Sequence, residues 1–505
     1  MEQFDVAIIG SGLGGLECGY ILSKEGYKVC ILEKNRQFGG NLQIFVRDRA
    51  IFDTGIHYIG GLAPGQNLYR YFKYFGLMDK LKLKRMDMDG FDVISFSGDD
   101  KEYRHAQGYE NFIEVLVKDF PKERKALVEY CNKIREITQQ FPLYNLKTGL
   151  KDVLNTKIFE INARDYINSV TKDAMLQNVL AGSNPLYAGD GDKTPLYVHA
   201  LVVNTYIESS WKCVDGGSQI ATLLVKSIKS MGGKVRNYAR VSKIMCDGDT
   251  AKYLELENGE RVFAKKFISN IPPADTLDLL ENSKIRPAYR HRISELNNTI
   301  SVFTLNIVMK ENAFPYLNHN IYHYAKKDVW NEIHYRENEW PASYALFTPY
   351  TAKSEKYTDS IALMSYMKYA DVKKWAHTRN TIPKEQKHRG DDYDEFKLRR
   401  SEKLINFIEQ KFPGIRNKIK SYYASTPLTF RDYIGVRDGS LYGIEKDAAD
   451  PLKSFISPKM KVENMFLTGQ NLNMHGVLGV TVGAVLTCSQ LLGTEYLLGK
   501  IKSAD

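Results

Sequence analysis

The sequence predicts an α/β fold: a parallel-sheet nucleotide-binding domain joined to a discontinuous mixed α+β second domain. Three observations predict it. The β-branched run Val6-Ala7-Ile8-Ile9 passes straight into Gly10-Ser11-Gly12-Leu13-Gly14-Gly15. A second strand, Lys28-Val29-Cys30-Ile31-Leu32, ends at the acid Glu33. Near the C-terminus a third run, Asn464-Met465-Phe466-Leu467, stops at Gly469 and precedes a long apolar helix.

The first sixty residues carry the strongest signal. Gly10 permits a tight turn, Gly12 lets backbone approach a pyrophosphate, and Gly15 lets the following helix lie close to the sheet. That helix is expected from about Leu16 to Lys24, with Gly26 ending it. Its N-terminus offers N–H groups and partial positive charge to phosphates. Glu33 lies 18 residues beyond Gly15, placed to accept hydrogen bonds from ribose hydroxyls. Together these parts form a Rossmann-like dinucleotide site. The alternative, a glycine-rich turn without ligand, would not require strand, helix, second strand and acid to agree. The motif does not separate NAD from FAD.

The next segment does. Lys34-Asn35-Arg36-Gln37-Phe38-Gly39-Gly40-Asn41 follows the acid, and then comes Phe52-Asp53-Thr54-Gly55-Ile56-His57-Tyr58-Ile59-Gly60-Gly61. An acid, a Gly-Gly pair and a Phe-Asp-x-Gly segment resemble the FAD-binding half of the amine oxidase and phytoene desaturase superfamily. The form of the second segment is similar to the branch holding the retinol saturases and carotenoid isomerases. The resemblance runs nearly end to end. It includes Val214-Asp215-Gly216-Gly217-Ser218, a helix over about Gln219–Met231, strands at Lys234–Arg236 and Arg240–Ile244, and the segment Phe267-Ile268-Ser269-Asn270-Ile271-Pro272.

The resemblance implies a glutathione-reductase-type FAD domain and noncovalent FAD. It places the cofactor on Gly10, Gly12, Leu13, Gly14, Gly15, Glu33 and Lys34, then on Gly40, Asn41, Gly55 and His57. Val241 would offer backbone to the adenine, and Asn270 would stand at a strand end. Gly469, Gln470, Gly476, Val477 and Leu478 would hold the ribityl chain, phosphate and ring edge. Gln470 stands where the wider superfamily has Asp or Glu. It still donates and accepts hydrogen bonds, and it weakens an amine oxidase reading. The 18 residues Gly476–Gly493 carry no charge, but Gly, Thr, Ser and Gln interrupt them, so a buried helix is expected rather than a membrane span.

The FAD domain is expected from 1–80, 206–275 and 421–505, and the substrate domain from 81–205 and 276–420. The first substrate stretch reads as helical and aromatic-rich, around Tyr109–Ile113, Phe120–Glu123 and Tyr130. The second holds strands at Val302–Val308 and Ser360–Met367. Lys373–Arg400 is charge-dense, contains Gly390-Asp391-Asp392, and reads as a solvated loop.

Composition narrows the class further. The chain has 505 residues, 70 Lys plus Arg and 60 Asp plus Glu, for a net charge of +10. That excess is small for the length and does not call for nucleic acid; it permits an acidic membrane surface or anionic ligands. Six scattered cysteines form no Cys-x-x-Cys pair, so reduced thiols and no metal centre are expected. No secretory signal opens the chain. The expected location is cytoplasmic, with peripheral contact at the inner membrane surface as an option. Leu68-Tyr69-Arg70-Tyr71-Phe72-Lys73-Tyr74-Phe75 is the segment suited to such contact, although a domain helix with a solvated basic face explains it better. Nothing in the sequence sets the oligomeric state.

FAD carries the redox chemistry, and the protein supplies position and electrostatics. No second dinucleotide fingerprint is present, so electrons would pass through transient NAD(P)H, a reduced carrier, a quinone or oxygen. His57, Tyr58 and His475 are the proton-transfer candidates beside the flavin, with His199 and Tyr187 in the second domain. Each histidine also fits a structural role, as turn former, cap or packing residue. The 32 tyrosines and 23 phenylalanines suit a lipophilic small-molecule substrate such as a polyene, and also suit an ordinary core. Three readings follow. The first is an FAD oxidoreductase that saturates or desaturates a carbon–carbon bond of an isoprenoid-like substrate. The second is a redox-neutral polyene isomerase. The third is a prenyl-protein chaperone of the Rab escort and GDP-dissociation-inhibitor type, against which the intact glycine motif and Glu33 argue.

Overall fold

The computed structural model describes residues 2–149, 157–380 and 389–504. Gln3–Ile9 lies at the centre of an eight-stranded sheet, between Val29–Leu32 and Arg261–Ser269, and both pairings are parallel. Lys234–Arg236 extends the sheet beyond Val29–Leu32, and Met465–Leu467 pairs in parallel with the end of Arg261–Ser269. Val241–Gly248, Thr250–Leu256 and Arg261–Ser269 form an antiparallel meander, and Leu280–Ser283 closes that edge. Val6, Ile8, Val29 and Ile31 are fully buried against Leu16, Ile21, Leu224 and Ile228 of the helices, while Ala7, Ile9, Cys30 and Leu32 on the other face are buried in a cluster with Val241, Ile244 and Leu254 of the meander. Helix Leu13–Lys24 packs between Ser218–Ser230 and Gly476–Leu492.

The helix after the glycine turn begins at Leu13, not near Leu16, because Gly12 itself is the N-cap. Gly19, which the sequence reading passed over, makes the close helix–sheet contact: a Cβ there would sit 2.5 Å from Ile31 Cδ1. Gly15 serves the turn instead, since its Cβ would fall 2.2 Å from the Gly10 carbonyl oxygen.

A second sheet of seven strands runs in the order Ile419–Ser425, Ser301–Met309, Ser360–Met367, Ser343–Phe347, Asn320–Tyr324, Asp92–Phe96, Glu102–His105. Only Asn320–Tyr324 and Asp92–Phe96 pair in parallel within it. Alternate residues serve its two faces. Ile321, Tyr344, Leu346, Ile361 and Leu363 pack against Leu404, Ile405 and Ile408 of the long helix Asp391–Lys411. Tyr322, Tyr324, Ala345, Phe347 and Ala362 face the helices and the first sheet.

Two expectations are corrected here. The stretch after residue 80 is not purely helical, because Leu83–Arg85, Asp92–Phe96 and Glu102–His105 are strands before the helices Tyr109–Asp119 and Arg124–Gln139 begin. Nor is Lys373–Arg400 a loop throughout. Its middle, 381–388, lies outside the described residues, but Asp391 starts the 21-residue helix Asp391–Lys411. Asp391, Asp392 and Asp394 sit in that helix's first turn, where negative charge complements the helix dipole.

The aromatic segment near residue 70 forms the helix Asn67–Tyr74. Leu68, Tyr71, Phe72, Tyr74, Phe75 and Leu77 are buried in the core, so this apolar face is not presented to a membrane. Among the described residues, no helix is long and apolar enough to cross a membrane. The six cysteines are buried thiols.

Candidate active site

One cavity of about 1500 Å³ opens between the two sheets. This exceeds the roughly 300–1,000 Å³ of a typical small-molecule site. It has two lobes with different chemistry.

The first lobe is a cradle of backbone. Helices Leu13–Lys24 and Gly476–Leu492 both begin at the cavity, and neither start is closed by a side-chain cap. Their N-terminal N–H groups and dipoles suit an anionic ligand. Glycine is required around them: a Cβ on Gly12 or Gly14 would lie 2.8 or 2.9 Å from the Asn270 amide, and one on Gly469 would lie 2.6 Å from it. Asn270 follows the strand Arg261–Ser269, so the strand end, the glycine turn and the C-terminal segment meet at one amide.

Glu33 stands at the end of the second strand on the same cavity. Its Oε2 accepts from Ser11 N at 3.0 Å and Ser11 Oγ at 2.6 Å, and its Oε1 accepts from Asn35 N at 2.9 Å. A carboxylate has about four acceptor sites, so one remains for a ligand hydroxyl. Lys34 beside it donates to the Asp432 carbonyl at 3.0 Å, and burial lowers its pKa.

The second lobe is apolar with hydroxyls set into it. Tyr197, Val198, Leu201, Val202, Ala345 and Met364 contribute apolar surface, and Tyr322, Tyr366 and Tyr442 add phenols.

Every residue expected to hold FAD lines this one cavity except Gly15, which sits behind the turn. His57, Tyr58 and His475 also line it. His57 stacks on Phe347 with ring centroids 4.3 Å apart, and its buried Nε2 has no partner. Burial, aided by Lys212, pushes its pKa down to about 4. His475 is similar: its buried Nδ1 is unpartnered, and burial with Lys446 nearby pushes its pKa down to about 4. Both imidazoles are therefore neutral at pH 7, so neither offers a cationic acid for proton transfer. His199 and Tyr187 do not reach the cavity. His199 Nε2 meets Tyr130 Oη at 2.7 Å and its Nδ1 meets Tyr187 Oη at 2.8 Å, the arrangement of a satisfied core histidine.

Tyr58 lies in a different environment. Its hydroxyl is 2.8 Å from Asp92 Oδ2 and 2.7 Å from Tyr322 Oη. Asn320 Nδ2 donates to Asp92 Oδ1 at 2.9 Å. Asp92 is fully buried, and desolvation raises its pKa to about 7. Neither Asp92 nor Tyr322 was singled out by sequence. The faint signal was one acid at the start of the short, mostly apolar segment Asp92-Val93-Ile94-Ser95-Phe96.

A two-lobed cavity joining a dinucleotide cradle to an apolar chamber defines a flavin-dependent oxidoreductase site. Residues 13–386 match the family described as flavin containing amine oxidoreductase. The chain is 25% identical over 531 residues to an all-trans-retinol 13,14-reductase of Rattus norvegicus, covering 97% of this chain and 86% of that protein. It is 25% identical over 461 residues to a chloroplastic prolycopene isomerase 2 of an Oncidium hybrid cultivar, covering 88% and 75% respectively. A solved oxidoreductase from Methanosarcina mazei shares the fold with a TM-score of 0.64 and 15% identity, covering 96% of this chain and 99% of that one.

The chain belongs to the flavin containing amine oxidoreductase family. It is an FAD-dependent oxidoreductase, similar over most of its length to retinol 13,14-reductases and prolycopene isomerases. Family membership sets the chaperone reading aside, and the cradle fits FAD: two uncapped helix starts suited to a pyrophosphate open on it beside the Glu33 carboxylate suited to a ribose.

Proposed function

We propose that this enzyme saturates a carbon–carbon double bond of a lipophilic polyene, with noncovalently bound FAD and a transient electron donor such as NAD(P)H. The observation that carries the reading is the continuity of the cavity. The apolar lobe opens directly onto the cradle, so a long apolar molecule can lie against whatever the cradle holds. Likeness to retinol 13,14-reductases supports the substrate class.

When bound, FAD supplies the two-electron transfer. The chain does the rest. Gly12, Gly14 and the two helix starts would hold the pyrophosphate, Glu33 the ribose, and Gly469 to Leu478 the flavin side. Tyr197, Val198, Leu201 and Val202 would exclude water and align the chain of the substrate. The phenols facing the lobe can move a proton, whereas His57 and His475, held neutral, are better suited to accept or donate one orienting hydrogen bond. The first sheet and its helices would form the FAD domain and the second sheet the substrate domain. Peripheral contact with a lipid surface is the natural source for such a substrate, and the basic balance of the chain is compatible with it.

A polyene isomerase is the second reading, supported by the likeness to prolycopene isomerases over 88% of the chain. Anaerobic spectra test the proposal. NADH, NADPH or a reduced carrier should bleach the flavin, and a retinoid or carotenoid added afterwards should restore its colour. Reduced flavin that persists beside every polyene offered would count against saturation.

A further inference from the structure

Saturation of a double bond needs a proton as well as the electron pair, and the cavity histidines are poor acids. We propose that Asp92, Tyr58 and Tyr322 form a buried proton relay that delivers this proton to the substrate, with Tyr322 as the terminal catalytic donor. The inference rests on the polyene-saturation reading above.

The geometry orders the three residues. Tyr58 Oη bonds both Asp92 and Tyr322, so it is the middle of the chain. Tyr322 and Tyr58 both line the cavity, but Tyr58 Oη is held between two partners while Tyr322 Oη bonds Tyr58, so Tyr322 is the end of the chain on the substrate side. Asp92 is shut away from the cavity at 0% exposure and is held in place by Asn320. In the charged-up state the Asp92 carboxyl donates to Tyr58, Tyr58 donates to Tyr322, and Tyr322 donates into the cavity.

As one substrate carbon gains a hydride equivalent from the reduced cofactor, the neighbouring carbon forms a bond to the Tyr322 proton. Tyr322 takes the Tyr58 proton, and Tyr58 takes the Asp92 proton. The product thus carries away a hydride, with its two electrons, and the relay's proton, two hydrogens in all, and a carboxylate remains at Asp92. That carboxylate then accepts from Tyr58, and Tyr58 from Tyr322, until a proton returns. No phenolate has to persist, which matters because burial raises both phenols well above their ordinary value.

Several groups surround Asp92. Tyr58 comes from the loop after Gly55, Asn320 and Tyr322 from the adjoining parallel strand, and His105 from the antiparallel neighbour. Lys212, on the strand Ser210–Cys213, and Tyr206, on the helix Leu196–Glu208, act on the same site electrostatically. His105 is held neutral by burial, its pKa pushed down to about 4. Lys212 donates to the Leu317 and Thr348 carbonyls at 2.8 Å each, and burial lowers its pKa to about 7. A pH effect must therefore be separated between Asp92 and Lys212. Asp92 is protonated below about 7 and can give its proton only there, so the rate should fall as pH rises through that value.

The test is reoxidation of prereduced FAD-loaded enzyme by a polyene, followed from pH 5.5 to 9. Tyr322→Phe should lose on the order of 10²- to 10⁴-fold in rate. Asp92→Asn should be at least about ten-fold slower at low pH and lose the inflection. Lys212→Met should keep the inflection and move it upward, since a cation that favours the carboxylate is gone. Combining Asp92→Asn with Tyr322→Phe should cost no more than Tyr322→Phe alone, because groups acting as a unit are non-additive. FAD content serves as the folding control.

Infrared spectra supply a readout without substrate. The buried Glu17, Asp53 and Glu332 also keep protonated carboxyls at pH 6, so the readout is the parent-minus-variant difference: one protonated carboxyl band should be missing in Asp92→Asn and shifted in Tyr58→Phe. An Asp92→Asn protein with the parent rate and inflection, or a parent without that band, overturns the relay. A parent that no polyene reoxidises, but which shows the band, overturns the substrate reading and with it the relay's part in turnover.

Discussion

Glu33→Ala should weaken FAD by roughly ten- to a hundred-fold. The carboxylate already accepts three hydrogen bonds, two from Ser11 and one from the Asn35 N–H, which fix it at the cavity wall. One acceptor site remains for the ribose. A hydrogen bond to a charged group contributes about 1.5–3 kcal/mol, and about 1.4 kcal/mol is one decade of affinity. The loss of the ribose bond alone therefore gives one to two decades. Removing the carboxylate also leaves the Ser11 and Asn35 N–H groups without their acceptor, and Ser11 lies within the glycine turn. The apoprotein should consequently melt lower as well. Titration of apoprotein with FAD, read by quenching of flavin fluorescence, measures the affinity. Melting of both apoproteins separates the turn effect from the ligand effect. Equal FAD affinity in variant and parent would refute the reasoning and put the ribose elsewhere.

Acid precipitation should release the yellow colour as FAD into the supernatant, whereas colour retained in the pellet would mean a covalent link. Gly15→Ala should destabilise the protein by about 1–3 kcal/mol or more and shed FAD, because the new Cβ would meet the Gly10 carbonyl at 2.2 Å; chemical denaturation and bound-flavin content check this. Asp53, buried and accepting from the Gly217 N–H at 2.8 Å, has its pKa raised by desolvation from 3.8 to about 7. Its folded form thus keeps a proton that the unfolded chain releases, so its contribution is complete below about 3.8 and is lost as pH rises toward 7 at up to about 1.4 kcal/mol per pH unit. Asp53→Asn should therefore gain stability relative to parent between pH 5 and pH 7.5; denaturation curves that stay parallel at the two pH values would contradict it. His57→Gln should retain FAD and most of its turnover, while Tyr58→Phe should lose about 10²-fold or more; stopped-flow reoxidation compares them.

The nucleotide half was readable because its chemistry is local. Gly10 to Gly15, Glu33 and Gly469 to Leu478 are short runs whose spacing encodes a turn, a helix start and an acid at a strand end. The proton relay was not readable. Tyr58 is 34 residues from Asp92 and 264 from Tyr322 in sequence, and the parallel pairing of Asp92–Phe96 with Asn320–Tyr324 brings them together. A five-residue segment buried on both faces, with Asp92 and Ser95 among its three apolar residues, has no alternation to mark it as a strand, so sequence pattern does not reveal Asp92–Phe96. Lys373–Arg400 misled for another reason. Its charges suggested solvent, but Tyr393, Phe396, Leu404, Ile405 and Ile408 follow helical spacing and are buried against the second sheet. Burial also changes the chemistry of residues that the sequence singles out. His57 and His475 line the cavity, yet desolvation leaves both neutral.

The central claim is that electrons from FAD end in a saturated bond of a polyene. Single-turnover mixing of prereduced enzyme with a retinoid or carotenoid under anaerobic conditions, with product mass recorded, tests it most directly. The product should be heavier by about two hydrogens and form one-for-one with reoxidised flavin. An isomerised product of unchanged mass, with the flavin still reduced, would contradict it.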